Sequence, residues 1–226
     1  MKLISYSLFG NQEFYTLGAL ANARLCADLY PGWTCRFYVG DSIPQEACTQ
    51  LAAHPNVELV PMPSVLENWF STFWRFHALR DETADVVMFR DADSRPCERE
   101  QAAVHEWLAS DKQFHAMRDH PEHGMPILAG MWGAKQDGAR TAAALLPARH
   151  DGAERWQADQ LWLAHQVYPV AKHSLMVHTS PESPQFEPDG FDDKRDFPTP
   201  RRPGRFVGQG FYGDDTLRIP ADALRV

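Results

Sequence analysis

The sequence predicts an α/β fold, a mostly parallel central sheet flanked by helices, on three observations. Apolar runs of strand length alternate with segments of helical periodicity, and the connections between them span only a few residues. Apart from Asp85, the run Ala84 to Phe89 is apolar, as a strand covered on both faces requires. Taken in order, Leu3 to Phe9 is the first strand. Apolar residues at 14, 17, 21, 25 and 29 then mark one face of a helix, which Pro31-Gly32 stops. Cys35 to Val39 is a second strand ending at Gly40-Asp41. Pro44, with Gln45 and Glu46 in the first turn, opens a helix that runs to Ala53. Val57 to Val60 is a third strand ahead of Pro61 and Pro63. Phe70 to Leu79 is aromatic and helical in spacing, Ala84 to Phe89 is the fourth strand, Glu98 to Ala109 a helix and Phe114 to Met117 a short strand. Ile127 to Ala134 is strand or extended segment with two glycines, and Trp156 to Val167 is a further helix. Ligands of such sheets bind at the C-terminal ends of the strands.

The whole chain, 1–226, reads as one domain. Lys plus Arg number 22 against 30 Asp plus Glu, a formal charge of −8, so the basic footprint that captures nucleic acid is missing. Apolar runs fall far short of the roughly 18 residues of a membrane span. The N-terminus Met1-Lys2-Leu3-Ile4-Ser5-Tyr6 moves straight into polar residues without an apolar leader. These features predict a cytoplasmic protein without a transmembrane segment. Cys26, Cys35, Cys48 and Cys97 show no CxxC spacing and are read as reduced and structural. From Thr179 to Arg205 the chain holds six of its 17 prolines, many charges and few aliphatics, and is expected to contribute no core. A C-terminal loop that long is either disordered or functional, as a lid over donor or acceptor or as a tether to a partner or a membrane-bound acceptor.

The chemistry concentrates in Val86-Val87-Met88-Phe89-Arg90-Asp91-Ala92-Asp93. Side chains at i and i+2 of an extended chain point the same way, so Asp91 and Asp93 present two carboxylates together where a buried strand ends. Oxygen ligands suit Mn²⁺ or Mg²⁺, which bridge to phosphate oxygens and act as Lewis acids on a phosphate leaving group. The competing reading is a surface turn with Asp91 paired to Arg90 or Arg95. Arg75, set among Phe70, Phe73, Trp74 and Phe76, either reaches into the same cleft with its planar donor fork or lies along a helix edge.

In this order the motifs resemble the GT-A glycosyltransferases, in particular the family 8 type and related bacterial capsule and lipopolysaccharide sugar transferases. The resemblance runs from Lys2 to about His178. It rests on the N-terminal strand and helix, Trp74-Arg75-Phe76, the strand into Asp91-Ala92-Asp93, and Ala158-Asp159-Gln160-Leu161. It implies a transferase that moves a sugar from a nucleoside diphosphate sugar, a UDP-sugar or a GDP-sugar, to a hydroxyl of a saccharide or lipid-linked saccharide acceptor, with retention at the anomeric carbon. It also implies roles for residues. Asp91 and Asp93 would hold Mn²⁺ or Mg²⁺, Arg75 would contact the donor, and Asp159 and Gln160 would lie beside the donor sugar and acceptor hydroxyl. The nucleotide base and ribose would sit near Ser7, Phe9, Gly10 and Asn11. In Ile127-Leu128-Ala129-Gly130-Met131-Trp132-Gly133, which resembles the donor-sugar segment, Gly130 lets backbone approach a ligand, and Trp132 either offers a sugar a flat face or packs as core.

Two departures matter. Arg90 stands before the acidic pair where the family carries an apolar residue, and the family's C-terminal His-x-x-Gly-x-x-Lys-Pro-Trp element is absent. His178 is the expected replacement for the third metal ligand, with His173 and Asp214-Asp215 behind it. In Arg118-Asp119-His120-Pro121-Glu122-His123-Gly124, Asp119 or His120 either positions sugar or acceptor hydroxyls or belongs to a polar turn. A nucleotidyltransferase and a non-catalytic nucleotide-sugar binding module are the alternative functions.

Overall fold

The computed structural model describes residues 1–62, 67–147, 156–188, 191–213 and 215–218. Its strands are β1 (Lys2–Leu8), β2 (Trp33–Val39), β3 (Val57–Pro61), β4 (Val86–Phe89), β5 (Phe114–Arg118), β6 (Trp132–Lys135), β7 (Leu175–Thr179) and β8 (Lys194–Arg195). They form one sheet in the order β3-β2-β1-β4-β6-β5-β7-β8, and only β6 runs antiparallel to its neighbours, β4 and β5. The principal helices are α1 (Glu13–Leu29), α2 (Gln45–Ala52), α3 (Glu98–Ala109), α4 (Gln136–Ala143) and α5 (Ala158–Trp162).

Strand alternation divides the core. On β4, Val87 and Phe89 face one cluster with Phe76, Trp132, Trp162 and Leu163, while Val86 and Met88 face another with Tyr6, Phe37, Val104 and Trp107. Burial on both faces explains why this run contains no polar residue.

Three elements depart from expectation. The buried face of α1 is Gly18, Ala19, Leu20, Asn22, Ala23 and Cys26, one position away from the stripe through 17, 21 and 25. Its small side chains bring the helix backbone close: a Cβ on Gly18 would sit 2.1 Å from the Ala92 carbonyl oxygen. The segment Trp69–Arg80 is a 12-residue 3₁₀ helix, unusually long for that geometry. β1 holds it in place: Ser5 Oγ donates to Arg75 O (2.7 Å), Ser7 Oγ donates to Thr72 O (3.0 Å), and Arg75 N donates to Ser7 Oγ (2.9 Å). Ile127 to Ala134 is strand only from Trp132 onward, and α4 follows directly.

The proline-rich stretch does contribute core, against expectation. Phe197, together with Val207 just beyond it, packs with Ala103, Met117 and Met131 in a third small cluster. Glu187 is buried with Arg118, and the two form an ion pair.

Candidate functional site

The sheet brings the C-terminal ends of β1, β2, β4 and β5 to one edge, because these strands are mutually parallel or related through the single antiparallel β6. Asp91 and Asp93 follow β4 at that edge. The turn that carries them is fastened from behind by α1, whose Asn22 Nδ2 donates to Ala92 O at 3.2 Å. Ser94 Oγ donates to Asp91 O at 2.9 Å.

Arg75 joins the motifs. Its Nη1 pairs with Asp91 Oδ1, and its Nη2 pairs with Asp159 Oδ2 at 2.8 Å. The Arg75 and Asp159 side chains are 6% and 7% exposed, whereas Asp91 is 48% exposed. Arg75 Nη1 and Nη2 are thus committed to two carboxylates and to the Arg90 carbonyl, while its Nε is buried without a hydrogen-bond partner. Asp159 Oδ1 accepts from Gln160 N at 2.9 Å, and Gln160 Oε1 accepts from Ala129 N at 3.1 Å. That bond ties the Asp-Gln pair to the segment carrying Gly130. A Cβ on Gly130 would lie 2.0 Å from Asp91 Oδ2, so the close approach this glycine permits is to the Asp91 carboxylate.

Asp93 Oδ2 pairs with Arg218 Nη1. Burial, reinforced by the neighbouring Asp91 charge, pushes the Asp93 carboxyl up to about 6. Arg90 is spent elsewhere: its Nε pairs with buried Glu100 at 2.8 Å, and Glu100 also accepts from Tyr30 OH at 3.1 Å. Arg95 pairs with Asp215 at 3.1 Å. Neither arginine neutralises Asp91: the loop is a turn, but its carboxylates pair with Arg75 and Arg218 instead of Arg90 or Arg95.

The acidic pair fits a divalent cation. Asp91 Oδ2 and Asp93 Oδ1 lie outside the two guanidinium pairs. Two hard carboxylate oxygens suffice for a cation that takes its other ligands from phosphate and water, and Gly130 contributes by seating Asp91 Oδ2 where a side chain would displace it. Among the described residues no group of three His, Cys, Asp or Glu converges.

Other candidates are placed differently. His178 is fully buried on β7, its Nδ1 2.8 Å from His115 Nε2 and its Nε2 3.3 Å from Glu106 Oε2. Both ring nitrogens are occupied within the protein, and His178 is no metal ligand here. Of the weaker substitutes, Asp215 is paired with Arg95 and Asp214 lies outside the described residues. Asp119 is also fully buried. It binds Arg99 at 3.0 and 3.1 Å, Arg201 at 2.9 Å and Val207 N at 3.0 Å. It anchors the stretch around 199–207 and has no oxygen to offer a sugar. Trp132 is 1% exposed, stacked on Phe89 at 4.4 Å between ring centroids, and belongs to the core. Phe9 packs edge-on against Trp74 at 5.5 Å, and Asn11 is exposed at the end of β1.

Two residues at this edge escaped the sequence reading. Glu67 closes the β1 and β2 ends, with Oε2 accepting from Gly10 N (3.0 Å) and Oε1 from Ser42 N (2.8 Å). Against the cost of burial, a bond from Ser42 Oγ together with these two holds its carboxyl below the usual range. Arg218 lies in a polar C-terminus with no motif to flag it.

No family model and no curated protein matches the chain. Solved structures do. TarS of S. aureus superimposes with a TM-score of 0.56 at 13% identity, over 78% of this chain and 58% of that one. A putative glucose-1-phosphate thymidylyltransferase of Bacillus anthracis, in complex with sucrose, gives 0.53 at 8% identity over 80% and 87%. Glucosyl-3-phosphoglycerate synthase of Mycobacterium tuberculosis, in complex with Mn²⁺, UDP and glucosyl-3-phosphoglycerate, gives 0.52 at 13% identity over 79% and 69%. The chain thus spans 58% of the TarS structure. At such identities the backbone is what is shared, and with the strand order and the placement of the acidic loop it identifies this chain as a protein of the GT-A fold.

Proposed function

We propose that the chain is a metal-dependent glycosyltransferase that moves a sugar from a nucleoside diphosphate sugar to a hydroxyl acceptor. The observation that carries this reading is the Arg75 bridge, which unites Asp91 and Asp159 from distant parts of the chain beside Gly130. In this reading Asp91 and Asp93 hold Mn²⁺ or Mg²⁺. When bound, the cation supplies Lewis-acid stabilisation of the departing diphosphate. The protein supplies position: Arg75 fixes the direction of the Asp91 and Asp159 carboxylates, and Gln160 fixes the Gly130 segment. The donor base and ribose lie near Phe9 and Asn11, where β1 ends. A UDP-sugar is the favoured donor and a GDP-sugar the second, in keeping with the UDP and Mn²⁺ in the mycobacterial synthase complex. We assign retention of anomeric configuration and a saccharide or lipid-linked saccharide acceptor of bacterial surface polysaccharide from the family 8 resemblance. The protein would act in the cytoplasm as one domain; no helix among the described residues is long and apolar enough to cross a membrane.

The test is a thermal-shift panel of UDP, GDP, CDP and their sugars with and without Mn²⁺, on the wild type and on Asp91→Asn/Asp93→Asn. Ligand at 100 times its dissociation constant adds about 2.7 kcal/mol of apparent stability. Stabilisation by one nucleotide only with metal, lost in the double variant, supports the reading. No shift under any condition refutes it. The likeness to the thymidylyltransferase favours a second reading, nucleotidyl transfer. Pyrophosphate release from a nucleoside triphosphate and a sugar 1-phosphate would identify it. Asp159→Asn separates both from a binding module: a transferase loses turnover while retaining donor, whereas a binding module has no turnover to lose.

A further inference from the structure

The residues after the third small core return to the acidic loop. Phe211 N donates to Asp93 O at 2.8 Å, and Ser94 and Gly210 form an isolated antiparallel bridge. The chain then doubles back, with Tyr212 N bonded to Thr216 O (2.8 Å) and Arg218 N to Gly210 O (3.0 Å). This turn delivers Arg218 to Asp93. The guanidinium is cradled by aromatic rings, its carbon 4.6 Å from the Phe14 centroid and 5.9 Å from that of Tyr212. Tyr212 itself stands edge-on to Phe14 at 5.9 Å. Arg95 to Asp215 is a second ion pair between strap and loop.

Charge makes this contact exclusive. Asp91 already has a buried guanidinium partner in Arg75, and Asp93 has Arg218. A divalent cation entering between Asp91 and Asp93 would face a guanidinium seated on the same Asp93 carboxylate, and like charges at that range repel. Arg218 is also the removable partner. Its side chain is 34% exposed, whereas that of Arg75 is 6% exposed.

We propose that Arg218 is a built-in counter-cation of the Asp93 carboxylate, which a divalent metal displaces, so that metal entry releases the strap of residues 210–213 and 215–218 from the acidic loop. The proposal rests on the assignment of Asp91 and Asp93 as the metal-holding pair, and it adds a switch to that site. The ligand that opens the strap is the metal, alone or with a nucleoside diphosphate.

Two readouts independent of turnover test it. Mn²⁺ affinity is measured by calorimetry or by the loss of the free-ion resonance signal, for the wild type, Arg218→Gln, Phe14→Leu and Asp91→Asn/Asp93→Asn. Amide hydrogen exchange of residues 206–218 is followed with and without Mn²⁺ and UDP. Arg218→Gln should bind Mn²⁺ about two- to fivefold more tightly. Phe14→Leu, which weakens the cradle and leaves every carboxylate in place, should shift affinity the same way by a smaller factor. In the wild type, Mn²⁺ should speed exchange at Phe211 and Arg218. Equal Mn²⁺ affinity in wild type and Arg218→Gln, with metal still dependent on the acidic pair, overturns the switch and leaves the metal site standing. Weaker binding of Mn²⁺ with UDP by Arg218→Gln also overturns it and makes Arg218 an attractive contact of the diphosphate. Mn²⁺ binding that ignores the Asp91/Asp93 double substitution overturns the metal site and the switch together.

Discussion

Replacing Arg75 by methionine removes a buried guanidinium while keeping an unbranched side chain of comparable reach. Its two ion pairs lose unequally. Asp159 is 7% exposed, so without Nη2 its carboxylate is left buried against Gln160 N alone. Breaking a buried pair from one side costs about 3–5 kcal/mol. Asp91 is 48% exposed and rehydrates, so its pair adds at most about 1 kcal/mol. The loss to expect from Arg75→Met is therefore about 3–5 kcal/mol, dominated by Asp159. For a chain of this size that lowers the melting temperature by roughly 6–20 °C. Urea unfolding of the apo protein, followed by tryptophan fluorescence, measures it directly. The double variant Arg75→Met/Asp159→Leu removes the stranded charge and should recover more than half of the loss. A loss below about 1 kcal/mol for Arg75→Met, or no recovery in the double variant, refutes the claim that Arg75 exists to hold the buried carboxylate.

The remaining expectations are briefer. Gly130→Ala puts a methyl 2.0 Å from Asp91 Oδ2, which forces the carboxylate off Arg75. Overpacking of about 1–3 kcal/mol should accompany a loss of Mn²⁺ affinity of at least tenfold, and unchanged metal titration would disprove the contact. His178→Gln should lower stability through the lost His115 and Glu106 bonds yet leave Mn²⁺ affinity unchanged, and a metal titration that weakens severalfold would restore His178 as a ligand. Burial pushes His115, His120 and His178 down, and His123 down to about 3. The unfolded chain therefore takes up protons near pH 6.5 that the folded chain refuses, so stability holds above that pH and falls as pH drops from there toward 3. Urea midpoints that stay level between pH 7 and pH 5 would contradict this.

Local pattern made much of the frame legible. An unbroken apolar run announces a doubly covered strand, which is why β4 and the acidic pair at its end could be read directly. The Asp159-Gln160 pair carried a motif, and the fold brings it to the Asp91 loop through Arg75. The misreadings share a physical origin in contacts that no local window contains. The face of α1 was misplaced by one position because its packing residues are Gly18, Ala23 and Asn22, chosen for close approach and a hydrogen bond to Ala92 rather than for apolar bulk. Asp119 and His178 stand at strand ends and look like ligands. Their saturation depends on Arg99 and Arg201, 20 and 82 residues from Asp119, and on Glu106, 72 residues from His178. Phe197 and Val207 lie scattered among prolines and charges, and only the sheet edge that receives them makes them core.

The acidic loop is held with unequal force on its two sides, and that asymmetry bears on how such a site would work. Asp91 is fixed by a buried guanidinium, by a glycine that leaves it room, and through its own carbonyl by Ser94. Arg75 cannot follow Asp91 outward, because leaving its place would strand buried Asp159 at a cost of about 3–5 kcal/mol. Asp93 is only 15% exposed, but its partner Arg218 is 34% exposed and can return to water. An incoming cation therefore finds one carboxylate already oriented and needs to displace only a solvent-accessible partner from the other. Little of its binding energy goes into ordering the protein, which is the condition for a preorganised electrostatic site. Any rearrangement on binding is then directed into the strap. Substitutions on the Arg75 side should mainly change stability, whereas those on the Arg218 side should mainly change metal affinity.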